Sequence, residues 1–220
     1  MHLKRQNIPK NWPMKKKGTA YVVQPKANLG KGIPVLVILR DVLGLAQNRK
    51  EVKRAIHLKQ LLLNSKRVTD EKNTALLFDT LTLLPTQKGK EGKSYRLELS
   101  EKGKFDLREI DEKEAGQKVS KIIDKKVLNG KKTQLNLSDG NNFLSSIKCE
   151  VNDSVLVNFK DKKIEKCLPL KENSEVIVFS GKHSGEKGTI QKIDKEKKMV
   201  YLKTKDKEFH VLIKQIMVLK

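Results

Sequence analysis

No acidic residue precedes Asp41 in this chain, and this absence constrains the fold of the first segment more than any other feature of the sequence. Residues 1–33 instead contain eight lysines and arginines, three prolines and three glycines. Prolines lack a backbone donor, and they suit neither the interior of a helix nor a central strand. We therefore predict that residues 1–33 form an extended basic arm rather than a packed element.

The charge of the whole chain points to a polyanion as partner. Its 48 lysines and arginines outnumber its 26 acidic residues, which gives a net charge of +22 at pH 7. Such an excess favours nucleic acid first and an anionic membrane surface second.

The arm combines positive charge with the only tryptophan of the chain, Trp12. This composition favours a segment that orders on RNA, with lysines on phosphates and an aromatic ring stacked or wedged in a groove. A solvated basic tail is the alternative. The candidate RNA contacts of the arm are His2, Lys4, Arg5, Lys10, Trp12, Lys15, Lys16 and Lys17.

Two helices are predicted next, within residues 34–94. In PVLVILRDVLGLA, apolar residues recur at helical spacing, Pro34 suits a first helical turn and Gly44 lies near the expected end. In NRKEVKRAIHLKQ, Asn48 and Glu51 have the spacing of an N-cap and a third helical position, and an apolar stripe follows. The two segments predict a helix pair.

Basic side chains occupy the side of the second helix that lies opposite its apolar stripe. The strand-like LLL, the turn NSKR and another strand follow, so the basic turn would extend the same positive surface. Such a surface suits an RNA backbone rather than base edges, whereas an ordinary solvated helix face is the alternative. The candidate contacts of this module are Arg40, Arg49, Lys50, Lys53, Arg54, Lys66 and Arg67.

Residues 95–170 change to the alternation that is typical of strands, as in YRLEL and TQLNL, with turns at LNGKKT, LSDGNN and FKDKKI. A short helix is predicted from about Asp111 to about Lys118. Because its charge is nearly balanced, this β-rich domain is expected to be mainly a scaffold, with Lys131 and Lys132 as possible contacts to an RNA backbone.

The segment SGKHSGEKGTI resembles a phosphate loop, but it contains no Gly-Lys-Ser or Gly-Lys-Thr and a strand follows it, which excludes a Walker loop. Five short strand patterns in residues 171–220 predict a small SH3-like barrel. The spacing V-x-V-x-x-G-x-x-x-G-x-x-G-x-I resembles the KOW motif, whose families bind RNA or transcription machinery. The matching loop residues Lys182, His183 and Lys187 could contact a partner, and a plain β-turn loop is the alternative.

The pieces together give an α+β chain that resembles the archaeal and eukaryotic type of small-subunit ribosomal protein four over essentially all 220 residues. HLKR with Pro9 and Trp12, then PVLVILRD and NRKEVKRAIH, are the segments most similar to that family. The resemblance implies an arm (1–33), a helical RNA-binding module (34–94), a central β-rich domain (95–170) and a KOW barrel (171–220). It also implies binding to small-subunit rRNA beside neighbouring ribosomal proteins, and the end at Lys220 is similar to the archaeal form.

Several other classes of protein are not favoured. No apolar stretch has the length of a membrane helix, and MHLKRQNIPK lacks the apolar core of a signal peptide, so we expect a cytoplasmic protein. Cys149 and Cys167 stand alone, which favours two reduced, partly buried thiols over a disulfide or a zinc site. We expect no catalytic residue, cofactor, metal or small-molecule substrate. The alternatives are an RNA-modifying enzyme and a transcription elongation factor.

Overall fold

The computed structural model describes residues 2–27, 29–85, 92–128, 132–145, 147–194, 196–204 and 207–219. The chain divides into two compact units, and each is described by itself. The first unit contains Met1–Glu98 and Lys104–Gly116, and the second contains Leu99–Gly103 and Gln117–Lys220. Over the described ranges, strands predominate and helices are few. None of the helices found there has the length and apolar character needed to span a bilayer.

The first unit contains nine strands, three short α-helices and one 3₁₀-helix, Arg5–Asn7, among its described residues. The strands are β1 (Leu3–Lys4), β2 (Tyr21–Val22), β3 (Gly32–Pro34), β4 (Leu61–Leu63), β5 (Lys66–Arg67), β6 (Thr74–Leu76), β7 (Thr80–Leu83), β8 (Lys93–Leu99) and β9 (Phe105–Ile110). The helices are α1 (Val35–Val37), which continues as a π-helical turn over Ile38–Val42, then α2 (Arg49–His57) and α3 (Glu112–Ala115). A five-stranded sheet has the order β5-β4-β7-β8-β9, and β1–β2 and β3–β6 form separate pairs.

The first predicted helix is present, and its first part is buried on all sides. Every side chain from Ile33 to Leu39 is buried, so this run is part of the core rather than an amphipathic surface. Pro34 precedes the first helical residue, Val35, and Gly44 has a left-handed φ of 64° just after the helical turn ends. The two boundary signals in the sequence therefore predicted the helix ends well.

The second predicted helix, α2, begins and ends with specific capping contacts. Asn48 Oδ1 accepts a hydrogen bond from Glu51 N at 3.1 Å, as the N-cap spacing predicted. At the other end, Lys59 has a left-handed φ of 58°, and its N–H donates to Ile56 O at 2.9 Å. A second bond joins Gln60 N to Ala55 O at 3.1 Å, which completes a Schellman motif and turns the chain into β4.

Among its described residues, the second unit contains ten strands in two antiparallel sheets of five and one 3₁₀-helix, Ile213–Gln215. The first sheet has the order β12-β11-β10-β13-β14, and the second has the order β18-β17-β16-β15-β19. The strands are β10 (Gln117–Val127), β11 (Thr133–Leu137), β12 (Asn142–Ser145), β13 (Ser154–Asn158), β14 (Lys163–Leu168), β15 (Glu175–Val178), β16 (Lys187–Asp194), β17 (Met199–Lys203), β18 (Glu208–Leu212) and β19 (Ile216–Val218).

Two of the three predicted turns of the central region lie within the described residues. LSDGNN joins β11 to β12, with Gly140 at a φ of 86°, and FKDKKI joins β13 to β14, with Lys162 at a φ of 52°. The tip of LNGKKT lies outside the described residues, although β10 and β11 pair on either side of it. The helix predicted to reach about Lys118 ends instead at Ala115, because Gly116 follows and β10 begins at Gln117.

The glycine-rich loop lies between β15 and β16, and its geometry explains two of its glycines. Gly181 and Gly185 have φ values of 97° and 95°, which side chains rarely adopt. A Cβ at Gly185 would also lie 1.9 Å from Ser100 O, so the loop packs closely against another segment of the same unit. The prediction that these glycines allow a sharp turn between two strands is confirmed.

Candidate nucleic-acid interface

A positive surface lies on α2 and on the β4–β5 hairpin that follows it. Val52 is the buried residue of α2, so the opposite side of the helix faces solvent. β5 consists of two basic residues, and both are exposed. We call five exposed side chains the module face: Lys50, Lys53, Arg54, Lys66 and Arg67.

The hairpin turn that carries part of the module face is built from Asn64 and Ser65, both left-handed at φ values of 51° and 62°. Two consecutive left-handed residues match the twist of a two-residue hairpin. Asn64 N donates to Thr80 O at 2.9 Å, and Asn64 Oδ1 accepts from Thr80 N at 3.0 Å, so the turn is tied to β7. The backbone that presents Lys66 and Arg67 is therefore held in place.

Two of the predicted contacts in this module are occupied within the protein. Arg49 forms an ion pair with Glu71, whose side chain is only 6% exposed, and its Nε donates to Glu71 Oε1 at 2.8 Å. Arg40 Nη2 lies 2.8 Å from Asp41 Oδ2. The guanidinium of Arg49 thus anchors the start of α2 to the segment that follows the hairpin, and both arginines form ion pairs within the protein.

The N-terminal segment packs against the first unit instead of extending from it. Trp12 is 2% exposed and its Nε1 donates to Gly32 O at 3.0 Å, while Leu3 is also buried. A ring in that position cannot stack on a base without leaving the core. The prediction that Trp12 contacts RNA is therefore corrected: an indole buries a large apolar area, and its N–H has found a partner inside the protein.

An aromatic side chain that the sequence reasoning missed lies on the outside of the same segment. Tyr21 is 59% exposed and its ring centroid lies 5.4 Å from that of His2, with the two planes tilted by 53°. Lys4, Lys10 and Lys15–Lys17 are also exposed. The signal that could have found Tyr21 is its place as the only other aromatic ring besides Trp12 and His2 in the basic first segment.

Arg5 is the predicted arm contact with the most internal hydrogen bonds among those that the structure describes. Its Nε donates to Thr19 O at 2.7 Å, its Nη1 to Lys15 O at 2.8 Å and its Nη2 to Thr19 Oγ1 at 3.0 Å. Its guanidinium therefore holds the loop that carries Lys15–Lys17 and is not oriented toward solvent as a free phosphate ligand.

The predicted contacts of the second unit differ from one another. Lys131 lies outside the described residues, whereas Lys132, Lys182 and Lys187 are exposed. The ring of His183 stacks on Phe209 at a centroid distance of 4.2 Å and an angle of 12°. Its Nδ1 also lies 3.3 Å from Glu186 Oε1, so His183 helps to order the glycine-rich loop.

A row of exposed side chains that crosses β18, β17 and β16 was also not predicted from the sequence. Lys192, Tyr201 and His210 are register partners on three adjacent strands, and all three are exposed. The rings of Tyr201 and His210 lie 6.2 Å apart and are tilted by 50°. The alternation in MVYLK and EFHVL, where buried valines neighbour these rings, could have predicted which side faces solvent.

Both cysteines are free and lie in the core of the first sheet of this unit. Cys149 is buried and Cys167 is half-buried, as the sequence predicted. Burial, then contact with Cys149 and Asp153, raises the pKa of Cys167 to about 12, so its thiol is a weak nucleophile at neutral pH. In the described part of the chain, no group of three or more His, Cys, Asp and Glu side chains has the arrangement of a metal site.

The fold has a close counterpart among solved structures. The crystal structure of the 30S ribosomal protein S4e from Thermoplasma acidophilum superposes with a TM-score of 0.72. The match covers 86% of this chain and 95% of that one, at 23% sequence identity. At that identity, the likeness establishes the fold.

Sequence comparison identifies the family of this chain, whereas the structural match identifies only the fold. Residues 91–164 match the model described as ribosomal family S4e. The small ribosomal subunit protein eS4 of Methanocella arvoryzae is 34% identical over 87% of this chain and 80% of its own length. The protein of the same name from Natronomonas pharaonis is 35% identical over 87% of this chain and 81% of its own length. On this identity and coverage, the chain belongs to the ribosomal S4e family.

Proposed function

We propose that this protein is a non-enzymatic constituent of the small ribosomal subunit, where it binds ribosomal RNA and supports subunit assembly and translation. Family membership carries the proposal, since relatives above 30% identity are named as small ribosomal subunit proteins. Its partners are then small-subunit rRNA and neighbouring ribosomal proteins in the cytoplasm. The role needs no cofactor and no small-molecule substrate.

The exposed cations support a mode of binding that depends on RNA shape. Lysines and arginines that neutralise phosphates release counterions, and this supplies affinity without reading base sequence. The grooves of an RNA duplex offer backbone and 2′-hydroxyl contacts more readily than base edges. The module face is presented by a capped helix and a tied hairpin, and such rigid presentation lowers the entropy that binding would cost.

A finer division into four functional parts belongs to this proposal. Residues 1–33 would act as an RNA-binding segment, 34–94 as a helical RNA-binding module, 95–170 as a scaffold and 171–220 as an SH3-like barrel with a KOW loop. The two left-handed glycines of that loop and the five-stranded sheet around it support the last assignment. The internal contacts of Trp12, Arg5, Arg40 and Arg49 remove these residues from the proposed set of direct contacts.

Sedimentation tests the proposed function directly. A tagged copy is expressed in the source organism, and the lysate is centrifuged on a magnesium-containing gradient, first at low and then at moderate salt. Cosedimentation with the small subunit at both salt concentrations is the expected result. A position in the soluble fractions, or with RNA polymerase, contradicts the proposal.

Charge removal tests the module face itself. The variant Lys53→Gln, Arg54→Gln, Lys66→Gln, Arg67→Gln should bind small-subunit rRNA with a log–log salt slope lower by about 3.6, since each phosphate contact adds roughly 0.9. The matched control removes four exposed charges of the β13–β14 region: Lys160→Gln, Lys162→Gln, Lys163→Gln and Lys166→Gln. If the salt slope falls equally in both variants, rRNA binding depends only on the net charge of the chain and the module face is not the contact surface.

A further inference from the structure

We propose that the strand pair β1–β2, with the segment that joins the two strands, binds an unpaired RNA base on Tyr21 and the adjoining phosphates on Lys15–Lys17. Arg5 is the positioning residue that holds the lysine loop next to Tyr21. This inference rests on the proposed function and names the kind of RNA that one part of the surface would take.

The first support is the way in which Arg5 folds the segment. Besides its three side-chain bonds to Lys15 and Thr19, its backbone N–H donates to Ala20 O at 2.9 Å. Thr19 Oγ1 in turn donates to Tyr21 O at 3.1 Å. A continuous set of hydrogen bonds thus runs from the backbone of the triple-lysine loop to the backbone of Tyr21.

Gly18 shows that this arrangement is built into the sequence. Its φ of 144° is open mainly to glycine, and a Cβ there would lie 2.9 Å from the Cζ atom of Arg5. The guanidinium therefore lies flat against a position that has no side chain. A loop that needs both an arginine and a glycine at fixed places is more specific than a solvated basic tail.

The second support is the exposed ring pair. Tyr21 and Lys4 are register partners in β2 and β1, and His2 lies beside Tyr21 in ring contact. Tyr21 is 59% exposed, so it offers apolar ring surface to solvent in a segment rich in lysines. Bases stack on such rings regardless of sequence, whereas paired bases inside a duplex cannot reach them. The geometry therefore favours an unpaired base.

Charge favours RNA as the occupant. Three consecutive exposed lysines lie in the loop, and no acidic residue occurs in the sequence before Asp41. Consecutive phosphates of a single strand can be neutralised by consecutive lysines while a neighbouring base stacks. Base stacking and phosphate contact respond differently to salt, which separates the two parts of the proposal.

The experiment uses the full chain and a 12-residue oligoadenylate with an internal 2-aminopurine, and its duplex with oligouridylate. Tyr21→Ala should weaken binding to the single strand by about five- to a hundredfold without changing the salt slope. Tyr21→Phe should bind the single strand as tightly as the native protein does. The variant Lys15→Gln, Lys16→Gln, Lys17→Gln should lower the salt slope by about 2. Binding to the duplex should not respond to Tyr21→Ala.

Arg5→Lys keeps the charge but loses the fork of donors, so it should weaken single-strand binding nearly as much as Tyr21→Ala. The fluorescence of Trp12 in the same segment checks that each variant stays folded. Unchanged affinity of Tyr21→Ala for the single strand, or an equal loss on the duplex, overturns the inference. Cosedimentation with the small subunit is measured separately, so the proposed function can be supported or contradicted independently of this inference.

Discussion

The two units differ in that some lysines of the second unit are buried, whereas the lysines proposed as RNA contacts in the first unit are exposed. In the first unit, lysines of the N-terminal segment and of the module face are exposed, while Trp12 and Glu71 are buried. In the second unit, Lys118 and Lys121 are both only 3% exposed. Lys118 Nζ lies 3.1 Å from Asp139 Oδ2, and Lys121 Nζ donates to Ile216 O at 2.9 Å. Some lysines of this chain therefore act as internal cross-links rather than as ligands for RNA.

This difference shows that the net charge of the chain overestimates the number of cations that are available to bind RNA. A buried ammonium loses its hydration, and it is tolerated only when a carboxylate or carbonyl groups replace the water. Lys121 also donates to Ile213 O, so it joins β10 to the last turn and strand of its unit. The two units can be followed separately, because the only tryptophan lies in the first and both cysteines lie in the second.

The largest expected effect comes from breaking the buried pair of the second unit. Asp139→Asn keeps the size of the side chain but removes the negative charge that lies 3.1 Å from the buried Lys118 ammonium. Removal of one partner from a buried pair costs roughly 3–5 kcal/mol, and we expect about 3 kcal/mol. The measurement is the urea dependence of thiol labelling at Cys149, which is buried in the folded unit.

Lys163→Met is the control for this variant, because Lys163 is exposed in the same unit. We expect a change below about 0.5 kcal/mol there. If Asp139→Asn and Lys163→Met unfold at the same urea concentration, the contrast between internal and external lysines is wrong.

A smaller effect is expected from the buried carboxylate of the first unit. Glu71→Gln removes the charge that Arg49 contacts, and since the side chain of Arg49 is 53% exposed, solvent compensates part of the loss. A hydrogen bond to a charged group contributes roughly 1.5–3 kcal/mol when buried, so we expect about 1–2 kcal/mol here. Urea unfolding followed by Trp12 fluorescence measures it.

The exposed ion pair Lys93–Glu109 in the same unit provides the comparison, at 3.7 Å and with both side chains at least 60% exposed. Glu109→Gln should change stability by less than about 0.5 kcal/mol, because surface pairs are screened by solvent. A larger loss for Glu109→Gln than for Glu71→Gln would reverse the assignment of Glu71 as an anchor.

Local signals in the sequence were sufficient for much of the fold. The N-cap of α2 and the glycines between β15 and β16 are each specified by a few neighbouring residues, and both were predicted. The predicted turn NSKR is correct for Asn64 and Ser65 only, since Lys66 and Arg67 form β5. These features depend on backbone geometry that particular side chains favour or forbid. Their prediction needs no knowledge of distant contacts.

The interior and exterior positions of polar and aromatic residues were not predictable in the same way. Trp12 is buried because Gly32, 20 residues away, presents a carbonyl to its indole. Lys118 was expected to end a helix, but it lies in β10 and pairs with Asp139 from a turn 21 residues later. Partners at such distances leave no periodic signal, so a basic stretch alone could not separate a ligand from a cross-link.

The last prediction concerns the pH dependence of the second unit. Burial lowers the pKa of Lys121 from its ordinary value of 10.5 to about 8. Between pH 8 and 10.5 the unfolded chain therefore binds more protons at this site than the folded protein does, and stability rises with pH. The neutral amine still has two N–H donors for Ile213 O and Ile216 O, so deprotonation removes the cost of a buried charge and keeps both hydrogen bonds.

The comparison is between the native protein and Lys121→Met, since the other titrating groups then cancel in the difference. From pH 8 to 9.5, the difference in unfolding free energy should grow by about 1–2 kcal/mol in favour of the native chain. Urea unfolding followed by circular dichroism at both pH values measures it. A difference that is constant or shrinks with pH would mean that Lys121 stays protonated in the fold, and the two carbonyl oxygens would then be stabilising a buried cation.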